Sequence, residues 1–198
     1  KHSGFLCTCR HVGLEHRGYV RAEHPLQEMV REAMEAVTGA AHGADVCGTD
    51  GCSIPTYAVP LKNLARGFAR MATGQGLGTE RARAARRILA ACMAEPFYVA
   101  GTDRLDTRLM KAASGRVMVK TGAEGVYCGA VPALGLGIAI KCDDGASRAA
   151  EVAVATILAK LLADDVGLAT ALAEMANPVM RNWNGIEVGR LRPTAELV

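Results

Sequence analysis

The stretch Val119-Lys-Thr-Gly-Ala-Glu-Gly-Val-Tyr-Cys128 contains a Lys-Thr-Gly triplet at 120–122. In enzymes whose serine nucleophile is activated by a lysine, such a triplet accompanies a Ser-x-x-Lys and usually a Ser-Asp-Asn. The chemistry divides the work: the serine attacks, the lysine one helical turn away takes its proton, and the K-T-G lysine and hydroxyl line the strand edge where substrate lies. Neither companion motif occurs here. The serines at 3, 53, 114 and 147 are followed three positions later by Leu6, Thr56, Val117 and Ala150. By spacing alone, Lys120 is either a lysine at a solvated turn or one half of a site whose nucleophile is not among these residues.

All five histidines (2, 11, 16, 24 and 42) precede residue 43, and Cys7-Thr-Cys9-Arg-His11 has a metal-like spacing. It is a poor zinc motif. Zinc needs four converging ligands, and on a helix Cys7 and Cys9 would lie about 200° apart around the axis. Core thiols with surface histidines are the expected reading. Cys52 differs, because Thr-Asp-Gly-Cys-Ser-Ile-Pro at 49–55 is a Gly/Pro-bounded loop that can aim a thiol at a pocket. As a nucleophile Cys52 would need a base, which the sequence does not identify.

The elements that must hold these groups are legible from periodicity. Pro25 opens a helix carrying Leu26, Met29, Val30, Ala33 and Val37, which Gly39 stops. After a Gly/Asp/Cys-rich loop, Pro60 opens a second helix with Leu61, Leu64, Ala65, Phe68, Met71 and Ala72 on one face. Thr79 is expected to cap a third helix reaching about Glu95, where Pro96 forbids continuation, and a shorter one runs from Leu105 to Ala113. Three short apolar runs, 116–120, 125–131 and 135–142, are parted by Gly and Pro turns, which predicts an antiparallel hairpin or meander. The segment 147–162 predicts a helix long enough to cover that sheet, and the tail from Asn177 predicts irregular chain ending in one short strand. The fold class expected is α+β, an antiparallel sheet covered by helices. No repeat or low-complexity linker marks a boundary inside the 198 residues.

Composition narrows the partners. Half the residues are apolar but only 4% aromatic, so the core must be built from Ala, Val, Leu, Met and Ile. A formal net charge of +3, spread along the chain, implies no nucleic-acid partner, and Arg81, Arg83, Arg86 and Arg87 are expected on a solvated helix face. Seven cysteines, an odd count without a repeated C-x-x-C, suit free thiols in a reducing cytoplasm. No apolar run approaches the roughly 20 residues of a membrane helix, so no membrane partner is expected.

Taken in order, several stretches add up to a resemblance. Lys1-His2, HPLQ at 24–27, TDGCSIPTYAVPL at 49–61, LARGFARMA at 64–72, EPFYVAGTDRLDTRLM at 95–110, VKTGAEGV, GLGIAIKCDDGASRAAE and NWNGIEVGRLRP span nearly the whole chain. Together they resemble the L-asparaginase II family of the Rhizobium etli type. The resemblance implies a fold similar to serine β-lactamases and glutaminases, here incomplete. It also implies that residues 1–198 are the C-terminal portion of one such domain, cut inside a Cys-Ser-Gly-Lys-His motif. The Ser-x-x-Lys segment would then lie in an N-terminal part, so that this chain alone is expected to be inactive.

The activity implied is hydrolysis of L-asparagine to L-aspartate and ammonia through a Ser-Lys acyl-enzyme, by a homodimer when full length. Lys120 matches a lysine of the family's two Ser-Lys pairs. A lysine accepts a proton only while neutral, so its pKa must fall from the ordinary value of about 10.4. Lys1 and Cys52 match two ligands of the family's metal site and are expected to approach each other. The Cys that completes the set would lie three residues before Lys1, which weakens the metal site; no cofactor is expected to be required, with zinc as the metal the resemblance admits. For the substrate, Asp50 or Glu124 is expected to hold the α-ammonium, and Thr121 with backbone N–H groups beside Gly122 the α-carboxylate; Cys52 is placed beside them. Two other readings compete: a penicillin-recognising Ser-Lys hydrolase, from the literal K-T-G, and a non-catalytic metal-binding or scaffold module, from the Cys and His content.

Overall fold

The computed structural model describes residues 1–197. The chain packs as two compact units, Lys1–Asn63 and Leu64 onward, with the division inside the first turn of a helix rather than at any linker. This explains why composition gave no boundary signal.

The first unit holds two helices and a hairpin. Helix α1 (His2–Val12) had no clear sequence signature, since its apolar positions are interrupted by Thr8 and Arg10. Helix α2 (Pro25–Thr38) begins and ends where the sequence places it, with His24 as its cap and Gly39 after its last turn. His24 Nδ1 accepts the Leu26 N–H at 3.1 Å, and its Nε2 pairs with Glu15 O at 2.9 Å. Gln27 reaches back to Tyr19 O at 2.8 Å, so the connection between the helices is tied at both its middle and its end. The loop beyond α2 contains an antiparallel pair that the sequence did not suggest, β1 (Cys47–Thr49) and β2 (Pro55–Tyr57). Three-residue strands are too short for a period to show.

In the second unit, α3 (Leu61–Thr73), α4 (Thr79–Ala94) and α6 (Leu105–Ala113) fall on their expected spans. Gly78, not Thr79, is the residue before α4, and Thr79 is its first helical residue. Pro96 ends α4 and also starts a further helix, α5 (Pro96–Ala100), as a proline at the first helical position can. The arginines of α4 are exposed while Ala82, Ala85 and Leu89 are buried, the solvated face expected.

Strands β3 (Met118–Thr121), β4 (Val126–Val131) and β5 (Leu136–Lys141) form an antiparallel meander in that order. Central β4 is buried along almost its whole length because helices and partner strands cover it. Helix α7 (Ser147–Leu161) lies on β4 and β5, α6 packs on β3, and α8 (Val166–Met175) packs on α6 and α7. The core runs through Leu109, Met110, Val117, Val119, Tyr127, Val131, Val154, Leu158 and Leu172. Helix α8 was not anticipated, although Asp165 caps it by accepting the Leu168 N–H at 3.0 Å. The tail is a hairpin rather than a single strand: β6 (Val179–Arg181) pairs with β7 (Glu187–Arg190), and Asn182 Oδ1 accepts the N–H groups of Asn184 and Ile186 in the turn. Asn184-Gly185 was the signal for it.

Two glycines show how closely the backbones approach. A Cβ on Gly137 in β5 would stand 1.9 Å from Ala65 O and 2.6 Å from Ala69 N, which are backbone atoms of α3. A Cβ on Gly129 would meet Met118 O at 2.8 Å. Gly137→Ala should therefore cost roughly 3 kcal/mol of stability by chemical denaturation, whereas Gly189→Ala, which meets nothing within 4 Å, should change the midpoint little. Burial also pushes the Cys128 thiol from an ordinary 9.0 up to about 11. A raised folded-state value means that this thiol favours folding fully below pH 9.0, and that the contribution is lost as pH climbs through about 11. At neutral pH an alkylating reagent should label exposed Cys7 at once and Cys128 only after denaturant is added.

Candidate active site

The sequence-selected residues fall into two clusters, one in each unit. In the first unit, the β1–β2 loop folds on itself: Asp50 N–H donates to Ile54 O at 2.9 Å and Ser53 N–H to Asp50 O at 2.7 Å. Ile54 is buried and anchors the loop. The loop thereby presents Asp50 and Cys52 together. Lys1, at the start of α1, reaches them: its Nζ lies 3.0 Å from Cys52 Sγ and 3.4 Å from Asp50 Oδ2, although 51 positions separate Lys1 from Cys52. Next to Lys1, His2 Nδ1 is 2.8 Å from Tyr19 Oη, which holds the first turn of α1 against the connection to α2.

The donors run in one direction. Lys1 donates to the Cys52 sulfur, and the thiol donates to Asp50 Oδ2 at 2.7 Å. The hydrogen bond from Lys1 to Cys52 outweighs burial and, with Asp50 close by, holds the lysine above its ordinary range. The Cys52 thiol, then Lys1, hold the Asp50 carboxyl below the usual carboxylate range. Lys1 is thus an ammonium at neutral pH. The Lys1 and Asp50 side chains remain 48% and 41% exposed, so the pair is a surface one and weak in itself.

A nitrogen, a sulfur and an oxygen are suitable zinc donors, and they converge. Their spacing, however, is that of hydrogen bonds. Ligands about 2.0–2.3 Å from one zinc ion stand roughly 3.3–3.8 Å apart, so the thiol–carboxylate contact would have to open once the lysine and thiol lost their protons. Among the described residues no group of three His, Cys, Asp or Glu side chains could hold a metal. Cys7 is exposed and Cys9 buried on α1, as helical geometry separates them, so Cys7 is not the core thiol expected, and His42, expected at the surface, is fully buried beyond the end of α2.

In the second unit, Lys120 and Thr121 end β3 at the edge of the sheet, facing Cys128 and Tyr127 of β4. Lys120 is half-buried, and its Nζ donates to the Thr121 carbonyl. The turn Ala123–Val126 has two successive left-handed residues, Glu124 (φ 57°) and Gly125 (φ 67°), closed by Val126 N–H to Ala123 O at 3.3 Å. A Cβ at Gly125 would also stand 3.0–3.1 Å from Cys142, Gly145 and Ala146, so glycine is needed there twice over. Glu124 is exposed on this turn.

One expectation changes. Neither the Thr121 nor the Gly122 N–H can hold a substrate carboxylate, because Gly122 N–H already donates to Val126 O at 2.8 Å and Thr121 N–H to Asp106 Oδ1 at 2.5 Å. The Thr121 hydroxyl makes only a long, exposed contact, donating to Gly122 O at 3.5 Å. Asp106, in the first turn of α6, is the residue that sequence reasoning missed. It is 1% exposed, and an acidic residue in a first helical turn reads as an ordinary helix-dipole partner.

A family model of L-asparaginase II matches residues 1–193. A search of curated proteins returns no match. Among the described residues, no helix is long and apolar enough to cross a membrane. With the K-T-G triplet on an open strand edge and the family match running through both compact units, the chain belongs to the L-asparaginase II family.

Proposed function

We propose that this chain is part of an amidohydrolase that converts L-asparagine and water to L-aspartate and ammonia through a serine acyl-enzyme. The observation that carries the reading is the family match over 193 residues with Lys120-Thr121-Gly122 at a sheet edge inside it. No serine among residues 1–198 has a lysine three positions on, so the nucleophile in this proposal is supplied from outside these residues.

The reaction needs few parts. A serine oxygen attacks the side-chain amide carbon, the carbon–nitrogen bond breaks as the nitrogen is protonated and leaves as ammonia, and water then attacks the ester to release aspartate. Lys120 serves as the proton relay, moving a proton between hydroxyl and leaving nitrogen. The Thr121 hydroxyl orients the α-carboxylate. Asp50 or Glu124 receives the α-ammonium; Asp50 already lies 3.4 Å from one ammonium, that of Lys1.

Zinc is the metal of the proposal, held by Lys1 and Cys52 with ligands from outside these residues. Bound there, it would fix the two side chains and supply positive charge beside Asp50; no step above runs through it. A homodimer, a cytoplasmic location and the absence of nucleic-acid or membrane partners complete the reading. The same chemistry directed at a β-lactam is the competing use of a K-T-G triplet, and the family match favours the amide of asparagine.

In protein that includes the nucleophile, Lys120→Met keeps much of the side-chain volume and removes the amine. Asparagine turnover should fall by about 10²–10⁴-fold, with the melting temperature nearly unchanged. Near-full activity with a lowered melting temperature would show instead that Lys120 is structural. Calorimetric titration of the 198-residue chain with zinc should show weak binding that Cys52→Ala removes. Equal binding by both proteins would end the assignment of Cys52 as a ligand.

A further inference from the structure

Asp106 is an uncommon residue to find buried on a helix that packs into an apolar core. Its carboxylate is 1% exposed, in a helix whose neighbouring positions Leu109, Met110 and Ala113 are all core. Burying a carboxylate is costly unless its oxygens are used. One oxygen is used on the backbone: Oδ1 accepts the Thr121 N–H at 2.5 Å. That N–H belongs to the outer side of β3, because the N–H of the next residue, Gly122, turns inward to Val126 O. The outer side of an edge strand has no partner strand, so its donors must find side chains or water.

A second buried group faces the same point. Tyr127 stands directly opposite Thr121 in the register and is fully buried, and its Oη has no hydrogen-bond partner among the described residues. Burial, and after it the nearby Asp106 carboxylate, push the phenol far above its ordinary range. The phenol proton is thus kept beside the carboxylate. Helix α6 is itself fixed behind Asp106: Thr107 Oγ1 donates to Gly101 O at 2.7 Å and lies 3.3 Å from Pro96 O.

We propose that Asp106 is the positioning residue of the K-T-G strand, tying the Thr121 amide to α6 so that Lys120 and the Thr121 hydroxyl are held at a set height on the sheet edge. The inference rests on the asparaginase reading for its catalytic consequence, but not for the contact itself. The acceptor, not the charge, sets the geometry, so asparagine at 106 is a conservative replacement and alanine is not.

The test compares Asp106→Asn and Asp106→Ala in protein that includes the nucleophile, reading Thr121 amide hydrogen exchange by NMR together with kcat, KM and the melting temperature. The Asn variant should keep the Thr121 amide protected and kcat within about tenfold of wild type. The Ala variant should expose that amide and lower kcat on the order of 10²-fold, as expected of a displaced reacting group, with a smaller change in KM. A folded Ala variant with a protected Thr121 amide or an unchanged kcat overturns the proposal. If the Ala variant has no cooperative melting transition, the Asn variant decides: retained protection and kcat support the proposal, and loss of either overturns it. Should wild type itself fail to hydrolyse asparagine, the functional reading falls, while the exchange measurement still judges the contact.

Discussion

Backbone closeness is the constraint on which the second unit depends. With three Phe, four Tyr and one Trp in 198 residues, the core cannot be filled by rings, and small side chains fill space only if helices and strands come near enough to touch through their main chains. The α3 backbone lies directly on Gly137 of β5, and the β3 backbone on Gly129 of β4. Those approaches set the position of β4, which then sets β3, and β3 carries Lys120 and Thr121 at its end. The alanines of α4, α6 and α7 serve the same purpose on the helix side.

The two clusters of polar groups are held by different physics. Lys1, Asp50 and Cys52 meet at a half-exposed surface, where solvent screens charge and each contact is worth little. What keeps them together is the covalent geometry of a tight loop and the tethering of α1 through His2 and Tyr19. Such a cluster can rearrange when a ligand arrives, because little holds its hydrogen bonds in place. Asp106 and Thr121 meet where the carboxylate is buried, and a carboxylate stripped of water binds a backbone donor tightly. That arrangement is rigid for the same reason that it is expensive.

This contrast suits the reaction proposed above. Groups that move protons gain from a fixed strand, since a small displacement lengthens every transfer. Groups that take up a charged substrate or an ion gain from a surface that can exchange hydrogen bonds for new ones. The family match spans both clusters without distinguishing them; the burial and bonding of each side chain do.

Much was legible in the residues themselves. Helix α2 was bounded by Pro25 and Gly39, the meander by its Gly and Pro turns, and α7 by its length, because these signals are local and strong. Helices α1 and α8 and the two small hairpins were not read, since their periods are broken or too short to rise above the surrounding chain. Lys120 and Thr121 could be named from the K-T-G motif and Cys52 from its loop, Asp50 and Glu124 from charge and placement, and Lys1 only through the family resemblance, for the identity of a side chain determines what chemistry it can do. Which of them meet was decided only by the tertiary structure, because the 3.0 Å contact across 51 positions and the burial of Asp106 against the Thr121 amide depend on how helices, loops and strands pack, and no spacing along the chain encodes that.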